Sequence, residues 1–333
     1  MSANEIRIVD IGEVDELVVL FVHASLERMG TAPMLKEASI GEAEFAVTAY
    51  RAHEPGTIAR AAIQDGEIVG LVCARLMEIG VDHPGYTYLP ESFVNVAVSG
   101  WHFRDAAALD HLPRLLEPVR FRARELGITR LSVDTRAGDW LGQSAWAALG
   151  LRKDNVLAGR TSKLSLSAPL NAVDVREARA EDIEAIVGLT FEQYAFHADF
   201  TRSGMRADQV AEPTRRMVEE LLDPTTSSAC FVALVHGEVV ACISSYALSV
   251  SDGLPATAWV PRSHGYIGLA SVSPLHRSAG IGRSLVVRVM QQLSDSGHEY
   301  VLLNYTDDNH MSRSFWQSHG FTTITESFTG HIL

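Results

Sequence analysis

The chain has 333 residues, 47% of them hydrophobic, with 41 acidic side chains against 28 basic ones and a net charge of −13. That length suggests two domains with sizeable cores, and the acidic balance argues against a polyanionic partner such as nucleic acid. The sequence has no apolar run of about 18 residues, and its acidic opening "MSANEIRIVDIGEVDEL" is unlike a signal peptide, so the expectation is a cytoplasmic protein with no membrane partner.

From the N-terminus, "IRIVDIGEVDELVVL" reads as a short strand followed by an acidic helix start. "IQDGEIVGLV" at 63–72 then reads as strand, tight turn at Asp65-Gly66, and strand. The same unit returns 171 positions later as "LVHGEVVACI" at 234–243, with its turn at His236-Gly237. A second pair follows at an offset of 170: "LGITRLSVDTRAGDWLGQSAWAALGL" at 126–151 and "SGHEYVLLNYTDDNHMSRSFWQSHGF" at 296–321. It aligns Gly127 with Gly297, Ser144 with Ser314, Trp146 with Trp316 and Gly150 with Gly320. The chain therefore reads as two copies of one domain. "VDVREARAEDIEAIVGL" reopens the pattern after the connector "LSLSAPLNAVDV", which places the boundary between domains 1–168 and 169–333. Each copy is expected to be a mixed α/β domain, not a regular βαβ wheel. Cys73, Cys230 and Cys242 sit in apolar, strand-like stretches without CxxC spacing or a nearby His pair, which predicts core residues, no disulfide and no metal site.

In the second copy "YIGLASVS" at 266–273 predicts a strand ending at Pro274. Beyond Gly282, residues Leu285, Val286, Val289, Met290 and Leu293 mark one face of a helix. Between them lies "RSAGIGRS", Arg277–Ser284. A glycine loop opening a helix presents unpaired amides to an anion. The P-loop lysine is absent, and Leu285 stands where a dinucleotide fingerprint needs its third glycine, so neither nucleotide motif fits.

Val272-Ser-Pro274, then Arg277-Ser-Ala-Gly280-Ile-Gly282, then Asn309, Ser312, Phe315-Trp316 and Gly320-Phe321 resemble, in order and spacing, the Gcn5-related N-acetyltransferase (GNAT) family. The resemblance implies two tandem GNAT-like acyl-CoA N-acyltransferase domains with a mixed sheet, acetyl-CoA as co-substrate, a small-molecule amine as partner, and a monomer or homodimer. It implies that amides of Arg277, Ser278, Ala279, Gly280, Ile281, Gly282, Arg283 and Ser284 cradle the pyrophosphate. The pantetheine arm would lie along the strand ending at Val272, with oxyanion donors from Ala270, Ser271 and Val272. Asn309 and Ser312 would contact the arm, although Asn309 reads equally as a helix N-cap.

The family's usual glutamate position is Gly268, so the common base is missing. The candidates in its place are His264 and Tyr266, or Glu192, His197 and Asp199 in "FEQYAFHADF", a segment that by the resemblance would border the acceptor together with its Tyr194. Trp316 stands where the family places a tyrosine proton donor. An indole cannot release that proton, which leaves Tyr305 or solvent as the source and Trp316 beside the cofactor or in the core. In the first copy Asp110 and Leu112 replace the two glycines, Asp139 replaces Asn309, and Pro113 and Pro118 are expected to disturb the helix start, so this half reads as degenerate. The expected activity is direct acetyl transfer to a primary amine in a ternary complex. The alternatives are a non-catalytic acyl-CoA-binding or regulatory module, or transfer of a larger acyl group.

Overall fold

The computed structural model describes residues 6–29, 47–48, 56–81, 88–163, 173–201, 211–249, 261 and 263–332. The first half contributes β1 (Arg7–Asp10), α1 (Asp15–Met29), β2 (Thr57–Gln64), β3 (Glu67–Glu78), β4 (Ser92–Val96), β5 (Trp101–Phe103), α2 (Leu112–Glu125), β6 (Arg130–Arg136), α3 (Trp140–Ala148) and β7 (Arg152–Thr161). The second follows a similar order, with two helices before its hairpin and no counterpart of β5 among the described residues: β8 (Asp174–Glu177), α4 (Ile183–Ala198), α5 (Ala211–Leu221), β9 (Ser228–Val235), β10 (Glu238–Ser249), β11 (Ser263–Val272), α6 (Ile281–Asp295), β12 (Tyr300–Thr306), α7 (His310–Ser318) and β13 (Thr322–His331). The connector at 164–172 lies outside the described residues.

Both expected hairpins form. Asp65 and Gly66 have φ of 52° and 85°, and His236 and Gly237 have 51° and 86°. Two successive positive φ values define the primed turn whose twist matches the flanking strands. The repeat is thus visible in backbone angles as well as in letters.

All the strands join one sheet, in the order β1-β2-β3-β4-β6-β13-β7-β12-β11-β10-β9-β8, with β5 pairing β3. The middle of that order is an exchange. β13, from the end of the second half, pairs β6, while β7, from the end of the first half, pairs β12; β7 and β13 also pair each other. Side chains fasten the seam: Lys153 bridges Glu326 at 2.9 Å and Asp307 at 3.2 Å, and Ser327 donates to Asp134 at 2.5 Å.

Alternation along each strand loads the two faces differently. One face packs under α2 and α3 through Val133, Leu116 and Trp146, and under α6 and α7 through Ile267, Leu303 and Trp316. The other packs under α1 through Val18 and Leu71, and under α4 and α5 through Ile186, Val218 and Val232. Cys73, Cys230 and Cys242 are buried free thiols, and burial pushes Cys73 and Cys230 up to about 12. Among the described residues no helix is long and apolar enough to cross a membrane.

β4 stops at Val96, and a 3-10 turn at Val98–Gly100 redirects the chain into β5. One expectation for the first half is corrected. The prolines do not disrupt α2: Pro113 sits in its first turn, where no amide is needed, and the helix runs through Pro118 to Glu125.

Candidate active site

β11 and β12 run parallel and pair only over Gly265–Ile267 and Val301–Leu303. Beyond Ile267 the two strands separate, and β11 stays with β10 alone. The β10–β11 register slips there: Ile243 opposes Ala270 but Ser245 opposes Ile267, so β11 carries an extra residue at Gly268–Leu269. The Leu269 amide is taken by the Ser244 hydroxyl at 2.9 Å instead of a main-chain carbonyl.

The amide of Ser273 bonds the Val240 carbonyl of β10 at 2.9 Å. Because main-chain direction alternates in an antiparallel ladder, Ser271 also faces β10. Ala270 and Val272 therefore face the gap left by β12. Arg277 Nε bonds the Val272 carbonyl at 3.1 Å, and its guanidinium lies 4.8 Å from the Phe196 ring, so this side chain ties the loop to β11 and α4.

The loop itself is arranged around its amides. Ser278 (φ 64°) and Gly280 (φ 83°) are left-handed, and a Cβ at Gly280 would meet nothing within 4 Å. A left-handed residue followed by the right-handed helix start turns successive N–H groups to one side, which makes an anion nest. No side chain caps α6 at Gly280, so its first-turn amides remain available. Gly282 serves packing: a Cβ there would be 3.2 Å from the Phe315 ring. Ser284 is buried, and its amide and hydroxyl both bond the Gly280 carbonyl. Ile281 begins the buried face of α6 with Leu285, Val286, Val289, Met290 and Leu293, as expected.

The remaining predicted residues divide. Asn309 is an N-cap, accepting from the Ser312 amide at 3.0 Å, and Asp139 caps α3 in the same way through Gly142. Trp316 is 6% exposed and lies edge-on to Phe315 and Phe321, within the core that also encloses Tyr305. Tyr266 faces the opposite side of the sheet, where its hydroxyl accepts from Asn304 Nδ2 at 3.1 Å, and burial raises its pKa. His264 is buried with Nδ1 2.7 Å from the Pro261 carbonyl; burial lowers its pKa. It stands five residues before Leu269, roughly 16 Å along the strand. On α4, Tyr194 and half-buried His197 turn inward, burial lowering the His197 pKa, whereas Glu192 and Asp199 are exposed.

Two further features bear on the site. Gly268 is exposed, yet a Cβ there would lie 2.4 Å from Cε2 of Tyr246, so the Tyr246 ring fills the place of a side chain at 268. In the first half Trp101, 3% exposed, donates Nε1–H to the Asp134 carbonyl at 3.0 Å across the equivalent gap between β4 and β6. It packs edge-on against Trp146, and a Cβ at Gly142 would meet its ring at 2.0 Å. The only sequence signal for this filler is an aromatic residue 171 positions before Val272.

The sequence from 194 to 321 matches the acetyltransferase (GNAT) family profile. The second half carries a GNAT acetyltransferase domain. The whole chain has a tandem GNAT-like fold, and solved structures resemble it along its full length. A GCN5-related N-acetyltransferase from Sphaerobacter thermophilus superposes with a TM-score of 0.58 at 15% identity, covering 100% of this chain and 96% of that one. A GCN5-related glucosamine N-acetyltransferase region of a fungal multi-domain beta-N-acetylglucosaminidase gives 0.55 at 12% identity, covering 99% of this chain and 38% of that one. A tandem GNAT protein from the clavulanic acid biosynthesis pathway gives 0.49 at 15% identity, covering 99% of each chain. A comparison with curated protein sequences gave no match.

Proposed function

We propose that the chain is an N-acetyltransferase that moves the acetyl group of acetyl-CoA to a primary amine of a small molecule, within a ternary complex. The observation that carries this reading is the uncapped start of α6, with left-handed Gly280 and open space at its Cα, beside a strand pair that separates after Ile267. The residues present suit a pyrophosphate, because amides and not side chains line the loop.

In this reading the amides from Ser278 to Arg283 hold the pyrophosphate, and the Ala270 and Val272 amides face the pantetheine arm and the developing oxyanion. The amine nitrogen bonds to the acyl carbon, the carbon–sulfur bond breaks, the amine loses a proton and the thiolate gains one. Inward-facing His197, which burial keeps neutral near neutral pH, is the proposed proton acceptor. Tyr305 is the proposed donor to sulfur. The first half, 1–168, is proposed to bind no coenzyme A, because Trp101 fills its gap and Asp110 and Leu112 stand in place of the two loop glycines; domain 169–333 carries the cofactor site.

Thiol release on mixing the full chain with acetyl-CoA and amines tests the proposal. Release that depends on both substrates, with an N-acetylated product by mass spectrometry, is expected. Coenzyme A binding without release for any amine would favour a binding module instead.

A further inference from the structure

Aromatic rings from both halves meet on the α4 side of the sheet, around fully buried Tyr194. Tyr88, in the segment leading into β4, is 37% exposed and meets the Tyr194 ring edge-on at 5.5 Å. Phe191 lies 6.3 Å from Tyr194, and Tyr246 lies 6.4 Å from Tyr266. These rings stand on the α4 face of the sheet, the face on which Tyr266 and exposed Asn304 bond each other. Exposed Gly268, at the bulge where β12 departs, lies against the Tyr246 ring.

We infer that Tyr88, supplied by the first half, determines acceptor specificity in the second half, and that the wall it completes takes an amine borne on a planar aromatic body. This rests on the acetyl-transfer reading and deepens it. Ring edges and faces reward another ring by offset or edge-on contact, which is worth up to about tenfold in affinity. An acceptor with several ammonium groups needs counter-charges. Burial is the largest influence on the hydroxyls of Tyr88, Tyr246 and Tyr266, and among the described residues the others come from Tyr194, Ser244, Cys230, Asn304 and one another; the carboxylates of Glu192 and Asp199 are exposed. Tyr246 is pushed up to about 12 and stays neutral. The space that a carboxylate at 268 would occupy holds the Tyr246 ring.

The test uses the full chain with acetyl-CoA and three acceptors: 2-phenylethylamine, glucosamine and spermidine. The inference expects kcat/KM for 2-phenylethylamine to exceed both others at least tenfold. Tyr88→Ala is expected to lower that value about tenfold, while Tyr88→Phe retains it and the KM for acetyl-CoA is unchanged in both. Equal or better use of spermidine or glucosamine overturns the inference, as does a Tyr88→Ala chain with the parent's preference. Calorimetric binding of 2-phenylethylamine to the coenzyme A complex separates the two readings. Binding without thiol release keeps the aromatic site and overturns acetyl transfer, whereas release from another amine without such binding overturns the aromatic site alone.

Discussion

Trp101 and Asp134 are joined across the first half's strand gap by one hydrogen bond, indole Nε1–H to main-chain carbonyl at 3.0 Å. The equivalent gap in the second half, between β11 and β12, has no such bridge among the described residues. Trp101 is thus one of two differences between the copies, the other being Asp110 and Leu112 in place of the loop glycines Gly280 and Gly282. Titration of the full chain with coenzyme A is expected to give a stoichiometry of one. Trp101→Ala removes a ring that is 3% exposed and is expected to cost about 3–5 kcal/mol, read by chemical denaturation, without raising the stoichiometry. A value near two for the parent chain would show that the first half binds by another route.

The exchange of β7 and β13 makes each half depend on the other. Residues 1–168 alone would leave β6 without β13, and residues 169–333 alone would leave β12 without β7. Each fragment would expose a long apolar-lined edge. Produced separately, the fragments are expected to aggregate or to lack a cooperative unfolding transition; produced together, they are expected to co-purify as one particle. A cooperatively folded, monomeric 169–333 fragment would contradict this.

Position 268 cannot simply be given the family's usual glutamate. Its Cβ would sit 2.4 Å from the Tyr246 ring, so Gly268→Glu is expected to destabilise by about 1–3 kcal/mol through overpacking. Adding Tyr246→Ala should recover much of the lost Tm by vacating the space. An unchanged Tm for Gly268→Glu alone would mean that the ring is free to move aside.

Burial lowers His264, His319 and His197 below the usual 6.5. Their folded values lie below their unfolded ones, so the unfolded chain binds protons that the folded chain refuses. Their contribution to stability is whole above the unfolded value and is lost as pH falls through the folded one. Tm is therefore expected to fall between about pH 7 and pH 5, above the range where most carboxylates titrate. His264→Gln should flatten that slope; a slope as steep as the parent's would exclude His264 as a contributor.

What the sequence made legible was local. The hairpin turns, the buried face of α6 and the glycine loop depend on residues within a few positions of one another, and the repeat is written in their spacing. The exchange was not legible, because Arg152–Thr161 and Thr322–His331 are similar half-buried strands and either sheet can accept either one. The bend at Val98–Gly100 was hidden in "FVNVAVSGWHF", which alternates like one continuous strand. The Tyr246 ring at Gly268 depends on a one-residue bulge in β11, a register detail with no signature in composition. Asn309 was open to two readings, and its bond to Ser312 decides only that it caps α7.

The central claim is that the α6 loop holds the pyrophosphate of coenzyme A, and Gly280→Asp tests it most directly. The substitution copies the first half's Asp110 into the nest. It sets a carboxylate against a phosphate, a repulsion of about 4 kcal/mol at 4 Å and an effective dielectric of 20. It also forces a side chain to φ 83°, so Gly280→Asn serves as the control for backbone strain. Isothermal calorimetry is expected to show coenzyme A binding lost in Gly280→Asp and largely kept in Gly280→Asn, with both chains folded. Coenzyme A binding by Gly280→Asp with the parent's affinity would contradict the account.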